Sequence, residues 1–231
     1  MSKQNDIPLP RRVRSFVHRQ GRLTIGQARA LRQLLPIYGL PYSSGMQDFS
    51  ALFARSAATV FEIGFGDGSS LLKMAQLAPQ TNFIGVEVYR PGIGALLLGI
   101  EKYALNNIRI YQADAIDILT HCIPANSLAR IQIYFPDPWH KTKHHKRRLI
   151  QPSFVNLVYE KLSLGGGLHI ATDCADYAKQ ILHLLDCTQG FSNQAGDKRF
   201  STKPTDRPTT KFERRGQRLG HAVWNLFYIK C

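Results

Sequence analysis

Between residues 59 and 172 the chain alternates short apolar runs with longer amphipathic ones. Thr59–Ile63 (TVFEI), 82–88 (NFIGVEV), 108–112, 130–135 (RIQIYF) and 168–172 have the length and apolar content of buried strands. Ser69–Leu77, 91–103, the residues after Asp114, Pro152–Lys161 and 177–187 predict helices between or after them. Residues 165–167, all glycine, predict a turn before the fifth strand, and 222–229 (AVWNLFYI) closes the chain as a long apolar strand. Upstream, 24–39 (TIGQARALRQLLPIYG) places Ile25, Ala28, Leu31 and Leu35 near helical spacing, and Pro36 and Gly39 are expected to end that helix. Residues 41–45 are expected as a loop, 48–54 as a short turn of helix, and the polar, Pro-punctuated 1–20 as a mobile arm.

Strand–helix alternation at this spacing means parallel strands joined by helical crossovers, hence an open α/β, Rossmann-like sheet covered on both faces. The 231 residues are expected to form a single domain, 1–231, with 1–40 as a basic arm and helix within it. No run approaches the roughly 18 apolar residues of a membrane span, and the N-terminus lacks a signal-peptide stretch. Cys122, Cys174, Cys187 and Cys231 sit at no paired spacing, which fits reduced thiols in a cytoplasmic protein.

Charge sharpens the picture. The net charge is +14, but residues 1–40 alone contribute +7, 141–148 (KTKHHKRR) +5 and 198–218 +6, so the remainder is mildly acidic. An isolated basic run is usually a solvated face; three of them on a nucleotide-type fold predict a polyanionic partner, with nucleic acid favoured. A membrane surface fits less well, because no run has a strong amphipathic apolar face.

In such sheets ligands bind beyond the carboxyl ends of the strands. The first strand ends in Glu62-Ile63-Gly64-Phe65-Gly66-Asp67-Gly68, whose glycines permit a tight turn and close approach of a ligand to the backbone. A dinucleotide fingerprint would need glycine at Ser69. An acid two residues before the first glycine repels a pyrophosphate and suits a cationic amino acid. That favours S-adenosyl-L-methionine, with its ammonium and sulfonium, over NAD. Glu87 at the second strand end suits the ribose hydroxyls, and Asp114 after the third suits the adenine amino group.

The fourth strand runs into Phe135-Pro136-Asp137-Pro138-Trp139-His140-Lys141, where the prolines stiffen a turn presenting the Asp137 carboxylate and Trp139 suits a flat base. The basic run follows at once. His140, His144 and His145 lie among cations with no paired cysteine nearby, which disfavours a metal. His169 in the fifth strand is expected to be a core histidine with a bonded ring.

Together EIGFGDG, GVEVYRPG, FPDPWHKTKHHKRR, ATD and RPTTKFERRG closely resemble the bacterial tRNA (guanine-N7-)-methyltransferase family, which methylates a variable-loop guanine of tRNA. The likeness runs from about Arg14 to the last strand. It implies the class I methyltransferase fold, a mostly parallel sheet with an antiparallel final strand. By position it implies donor-binding acids at Glu62, Glu87, Asp114 and Asp137, beside Gly64, Gly66 and Gly68, with Asp137 also catalytic. It implies tRNA-binding positions at Lys141, Lys143, Lys146, Arg147, Arg148, Asp173, Thr210, Lys211, Phe212 and Glu213. S-adenosyl-L-homocysteine is the implied product; no metal and no obligatory protein partner are expected. Guanine N7 carries no proton, so alignment is the main catalytic need. Asp137 is a candidate for the guanine edge, and Glu213, two residues after Lys211, is a second. The rivals are a non-catalytic RNA-binding protein on a degenerate scaffold and an enzyme methylating an exocyclic amino group.

Overall fold

In the computed structural model, which describes residues 15–16, 21–42 and 45–231, the expected strands join one eight-stranded sheet. In chain order the elements are α1 (Ile25–Gln33), α2 (Leu35–Tyr38), β1 (Gly39–Leu40), α3 (Phe49–Phe53), β2 (Thr59–Ile63), α4 (Ser69–Leu77), β3 (Asn82–Val86) and α5 (Arg90–Lys102). There follow β4 (Ile108–Tyr111), α6 (Ala115–His121), β5 (Leu128–Tyr134), a 3-10 helix (Thr142–Arg147), α7 (Pro152–Lys161), β6 (Leu162–Thr172), α8 (Ala175–Asp186), β7 (Phe191–Asn193), α9 (Lys211–Arg218) and β8 (Trp224–Lys230). The strand order is β1-β4-β3-β2-β5-β6-β8-β7, with β8 antiparallel to both β6 and β7 and the other pairings parallel. The expected arm at 1–14 and 17–20 lies outside the described residues.

Period-two alternation divides two cores between the faces of the sheet. Phe61, Ile63, Ile84, Val86, Ile131 and Ile133 face the layer of α6, α7 and α8, while Val60, Phe83, Ile108 and Ile110 face α1, α4 and α5. On the second face, over β5 and β6, cover comes from the segment leading into α9. There Arg130 pairs with Asp206 at 2.6 Å, and Arg207 lies over the Tyr134 ring.

Three local expectations change. Pro36 falls within the first turn of α2 and does not close a longer helix: lacking an N–H it breaks the ladder one turn earlier, so α1 ends at Gln33 and a new turn starts. Ile25 at the start of α1 is 93% exposed, off the apolar face expected for it. The glycines 165–167 lie inside β6, with Gly165 at φ +74° and the strand pairing shifted in register.

Candidate active site at the carboxyl edge of the sheet

Successive strands run outward from β2 to β3 and β4, then the chain returns to place β5 on the other side of β2. Where the strand order reverses in this way, ligands bind in the crevice beyond the carboxyl ends of the strands. Its first half is the turn after β2. Gly64, Gly66 and Gly68 have φ of +70°, +60° and +73°, which L side chains rarely adopt. A Cβ at Gly64 or Gly66 would meet nothing within 4 Å, so the turn presents bare backbone to open space, whereas Gly68 is packed against Leu96.

Three carboxylates frame that space. Glu62, at 2% exposure, is buried beneath the turn and accepts from Gln132 Nε2 at 2.8 Å. Burial pushes its carboxyl up to about 7, the Gln132 hydrogen bond partly offsets this, and the nearby Glu87 charge adds to it. Glu87 spans the turn: Oε2 accepts from Gly66 N at 3.0 Å, and Oε1 from Val88 N at 2.7 Å and Tyr89 N at 3.0 Å. Three of roughly four lone-pair directions are thus used, leaving one for a ribose hydroxyl without rearrangement, not the two expected from sequence. Asp114 caps α6 through Oδ1, which accepts from Ile116 N at 2.9 Å. An open glycine cradle with carboxylates at three strand ends fits a cationic nucleoside, so the residues present suit S-adenosylmethionine.

The second half is the turn after β5. Phe135 extends the pairing by donating its N–H to Ala171 O at 2.7 Å, then adopts φ +56°; Trp139, four residues on, has φ +48°. Two bulky residues in the left-handed region bracket Asp137, and strain of this kind persists only where the surroundings hold it. Asp137 is half-buried on this turn. The Trp139 indole donates to Ser15 O at 3.0 Å, and the Arg147 guanidinium lies 3.7 Å from its ring centre.

The basic run is a 3-10 helix with Lys141, Lys143 and Lys146 exposed. Arg148 departs from the sequence expectation. It is 3% exposed, donating to Pro138 O, Gln180 and Asp176, so it has no free face for a phosphate. A run of like charge does not show which member turns inward; that depends on the acceptors α8 supplies.

The TKFE segment is the start of α9, a helix the hydrophobic pattern does not reveal. Thr210 and Glu213 form a capping box, a signal that was present in T-x-x-E. Phe212, 54% exposed, packs against Phe135 with ring centres 5.1 Å apart, bringing α9 to the Asp137 turn. Lys211 is exposed, and Asp173 after β6 lies 3.7 Å from His221 Nδ1. Glu213 corrects a second expectation. It is 2% exposed, and its oxygens accept from Arg207 Nη1 and Nη2 at 2.8 Å, from Lys203 at 3.2 Å and from the Thr210 N–H. No lone pair is left for guanine in this arrangement. Arg207, absent from the expected site, is the residue that decides this.

Beneath the crevice a polar chain crosses three strands. Tyr134 OH donates to Gln132 Oε1 at 3.1 Å and lies 3.0 Å from His169 Nδ1, while Gln132 Nε2 donates to Glu62. Burial, then the Arg207 and Arg130 charges, push His169 down to about 4, so it is a neutral, ring-bonded core histidine. Among the described residues, no cluster of His, Cys, Asp and Glu has the makings of a metal site, and no helix is long and apolar enough to cross a membrane.

A family model described as "Putative methyltransferase" matches residues 56–226. The chain is 56% identical to the tRNA (guanine-N(7)-)-methyltransferase of Alcanivorax borkumensis over 95% of this chain and 92% of that protein. It is 50% identical to the protein of that name from Pseudomonas fluorescens, over 100% and 99% of the two chains. Among solved structures, the 16S rRNA methyltransferase KamB matches at TM-score 0.57 and 16% identity, covering 80% of this chain and 94% of that one. The aminoglycoside resistance methyltransferase NpmB1 matches at 0.53 and 17%, covering 82% and 95%. At those identities the structural matches speak for the class I methyltransferase fold alone.

Proposed function

The chain belongs to the tRNA (guanine-N(7)-)-methyltransferase family, and on that premise we propose that the crevice binds S-adenosyl-L-methionine and methylates N7 of a variable-loop guanine of tRNA. The observation that carries this reading is the placement of four carboxylates. Glu62, Glu87 and Asp114 lie at or just after the ends of β2, β3 and β4 beside the bare Gly64–Gly66 backbone, and Asp137 lies on the turn after β5, the strand next to β2. When bound, S-adenosylmethionine supplies a methyl on a positively charged sulfur, whose transfer to the N7 lone pair leaves S-adenosyl-L-homocysteine and needs no proton acceptor.

The residues therefore act by holding and aligning. Glu62 sits where it favours the positive charges of the donor's amino-acid end. Glu87 takes one ribose hydroxyl on its remaining lone pair, and Asp114 offers its second oxygen to the adenine amino group. Asp137 holds the guanine through its N1 and N2 hydrogens or favours the cationic product by its charge. Phe212 and Lys211 form the opposing wall, and Lys141, Lys143, Lys146 and Arg147 meet phosphate at the rim. A tRNA substrate and four thiol cysteines fit a cytoplasmic enzyme of one domain.

The test is transfer of tritiated methyl from S-adenosylmethionine to unmodified tRNA, followed by borohydride–aniline treatment, which cuts at N7-methylguanosine. Label without cleavage would redirect the reading to an exocyclic amino group; absence of label would favour the non-catalytic rival.

A further inference from the structure

We propose that Arg148 is a positioning residue for the reaction: a buried clamp that sets the turn carrying Asp137, not a contact to tRNA phosphate. This rests on the methyl-transfer reading above. Arg148 Nε donates at 2.8 Å to the carbonyl of Pro138, the residue directly after Asp137. Its other two nitrogens donate to Gln180 and, at 2.6 Å, to Asp176 Oδ2, both on α8. The guanidinium lies 4.7 Å from the ring centre of Tyr177, whose hydroxyl accepts from Ile150 N at 3.0 Å. One side chain thus ties the catalytic turn to a helix packed in the core.

The turn needs such a tie. Pro136 and Pro138 remove two backbone donors from it, and Phe135 and Trp139 both hold left-handed φ. A strained segment that has lost two backbone donors keeps its shape through outside contacts. Neighbouring side chains divide the work. Arg147 stacks on Trp139 at the rim, while Arg148 points inward and spends its charge on Pro138, Gln180 and Asp176. The fork geometry of a guanidinium satisfies three separated acceptors at once, which a lysine ammonium on one flexible stem does not.

The experiment compares Arg148→Met and Arg148→Lys with the wild-type chain. Single-turnover methylation of unmodified tRNA should slow at least tenfold in both. The Kd for tRNA should stay within twofold, and its dependence on salt should keep the wild-type slope. A raised Kd with a flattened slope in Arg148→Met, rescued by Arg148→Lys, would show a phosphate contact and overturn the clamp. Should neither variant fold, Gln180→Ala removes one arm from the α8 side; a roughly threefold slower rate at unchanged tRNA affinity supports the clamp, and a wild-type rate sinks it. A second readout needs no activity. The chain has two tryptophans, Trp139 and Trp224, so in a Trp224→Phe background Trp139 alone reports the turn. Its acrylamide quenching should rise in Arg148→Met and in Gln180→Ala, and unchanged quenching counts against the clamp. A wild-type protein that makes no aniline-cleavable tRNA would fail the functional reading, and the fluorescence would still decide the clamp.

Discussion

Arg207 donates one hydrogen bond to each carboxylate oxygen of Glu213, both at 2.8 Å, while its guanidinium lies 5.3 Å from the ring centre of Tyr134 and 6.0 Å from that of Phe135. This buried pair joins the first turn of α9 to the end of β5. The start of α9 and the turn after β5 are therefore joined by one ion pair and one ring contact.

Removing Glu213 should cost stability before it costs chemistry. Glu213→Ala leaves Arg207 charged and buried, a change worth about 3–5 kcal/mol. Burial alone would raise the Glu213 carboxyl, but the hydrogen bonds and charges of Arg207 and Lys203 outweigh it and hold it below its ordinary value. The pair's contribution is therefore present above the ordinary carboxylate range and lost as pH falls through the depressed value. Thermal melts should show a large drop in Tm for Glu213→Ala, with partial recovery in the double variant Arg207→Met, Glu213→Leu. A wild-type Tm with abolished methylation would return Glu213 to the substrate.

Glu62 predicts the opposite pH dependence. With its carboxyl at about 7 in the donor-free protein, folding favours the protonated form. That advantage is complete below the unfolded value of about 4.5 and is lost as pH rises through 7, some 3 kcal/mol in all. Glu62→Gln keeps the acceptor for Gln132 and should match wild-type Tm near pH 5 but exceed it increasingly toward pH 8. A cationic donor favours the ionised form, so its affinity should weaken as pH falls below 7. Calorimetry in buffers of different ionisation enthalpy should detect proton release on binding at pH 6.5. Buffer-independent heats would contradict this.

Lys143, Lys146 and the half-buried Arg147 at the rim should set tRNA affinity. Neutralising Lys143, Lys146 and Arg147 together should raise the KM for tRNA and leave donor affinity near wild type. Each lost phosphate contact should flatten the log K versus log salt slope by roughly 0.9 for duplex or 0.7 for single strand. A triple variant with the full wild-type slope would place the phosphates elsewhere.

Asp137→Asn preserves shape while removing charge and replacing one acceptor oxygen with a donor. A loss of about 3 kcal/mol of transition-state stabilisation would lower kcat roughly a hundredfold. N7 has no proton to lose, so at saturating donor the wild-type kcat should show no base limb between about pH 6 and 8. Single-turnover rates test both points. A clear base limb abolished by the substitution would indicate proton transfer, and wild-type turnover in Asp137→Asn would remove Asp137 from the reaction.

The frame of the fold was legible because buried parallel strands write themselves as apolar runs: β2 and α4 fall at the residues expected. The polar 211–218 stretch was not, since α9 is held by its cap, by Phe212 on Phe135 and by Glu213 on Arg207, with almost no apolar face of its own. For the proposed site, only the strand-end positions of Glu62, Glu87, Asp114 and Asp137 were readable in the sequence. The fates of Arg148 and Glu213 were not, because a charged side chain turns inward only where partners distant in sequence await it. Asp176 and Gln180 lie 28 and 32 residues from Arg148.

The polar chain under the crevice has a direction. Tyr134 gives its hydroxyl proton to Gln132 Oε1, and Gln132 Nε2 gives one to Glu62, while His169 Nδ1 lies 3.0 Å from the Tyr134 oxygen. Both directed donors, Tyr134 and Gln132, point toward Glu62, an ordering that suits a carboxylate and is disturbed when that oxygen carries a proton. The imidazole lies three links from Glu62, at the edge of the proposed donor pocket. Its nitrogen resonances can register whether the pocket is charged without any label placed near the reacting atoms.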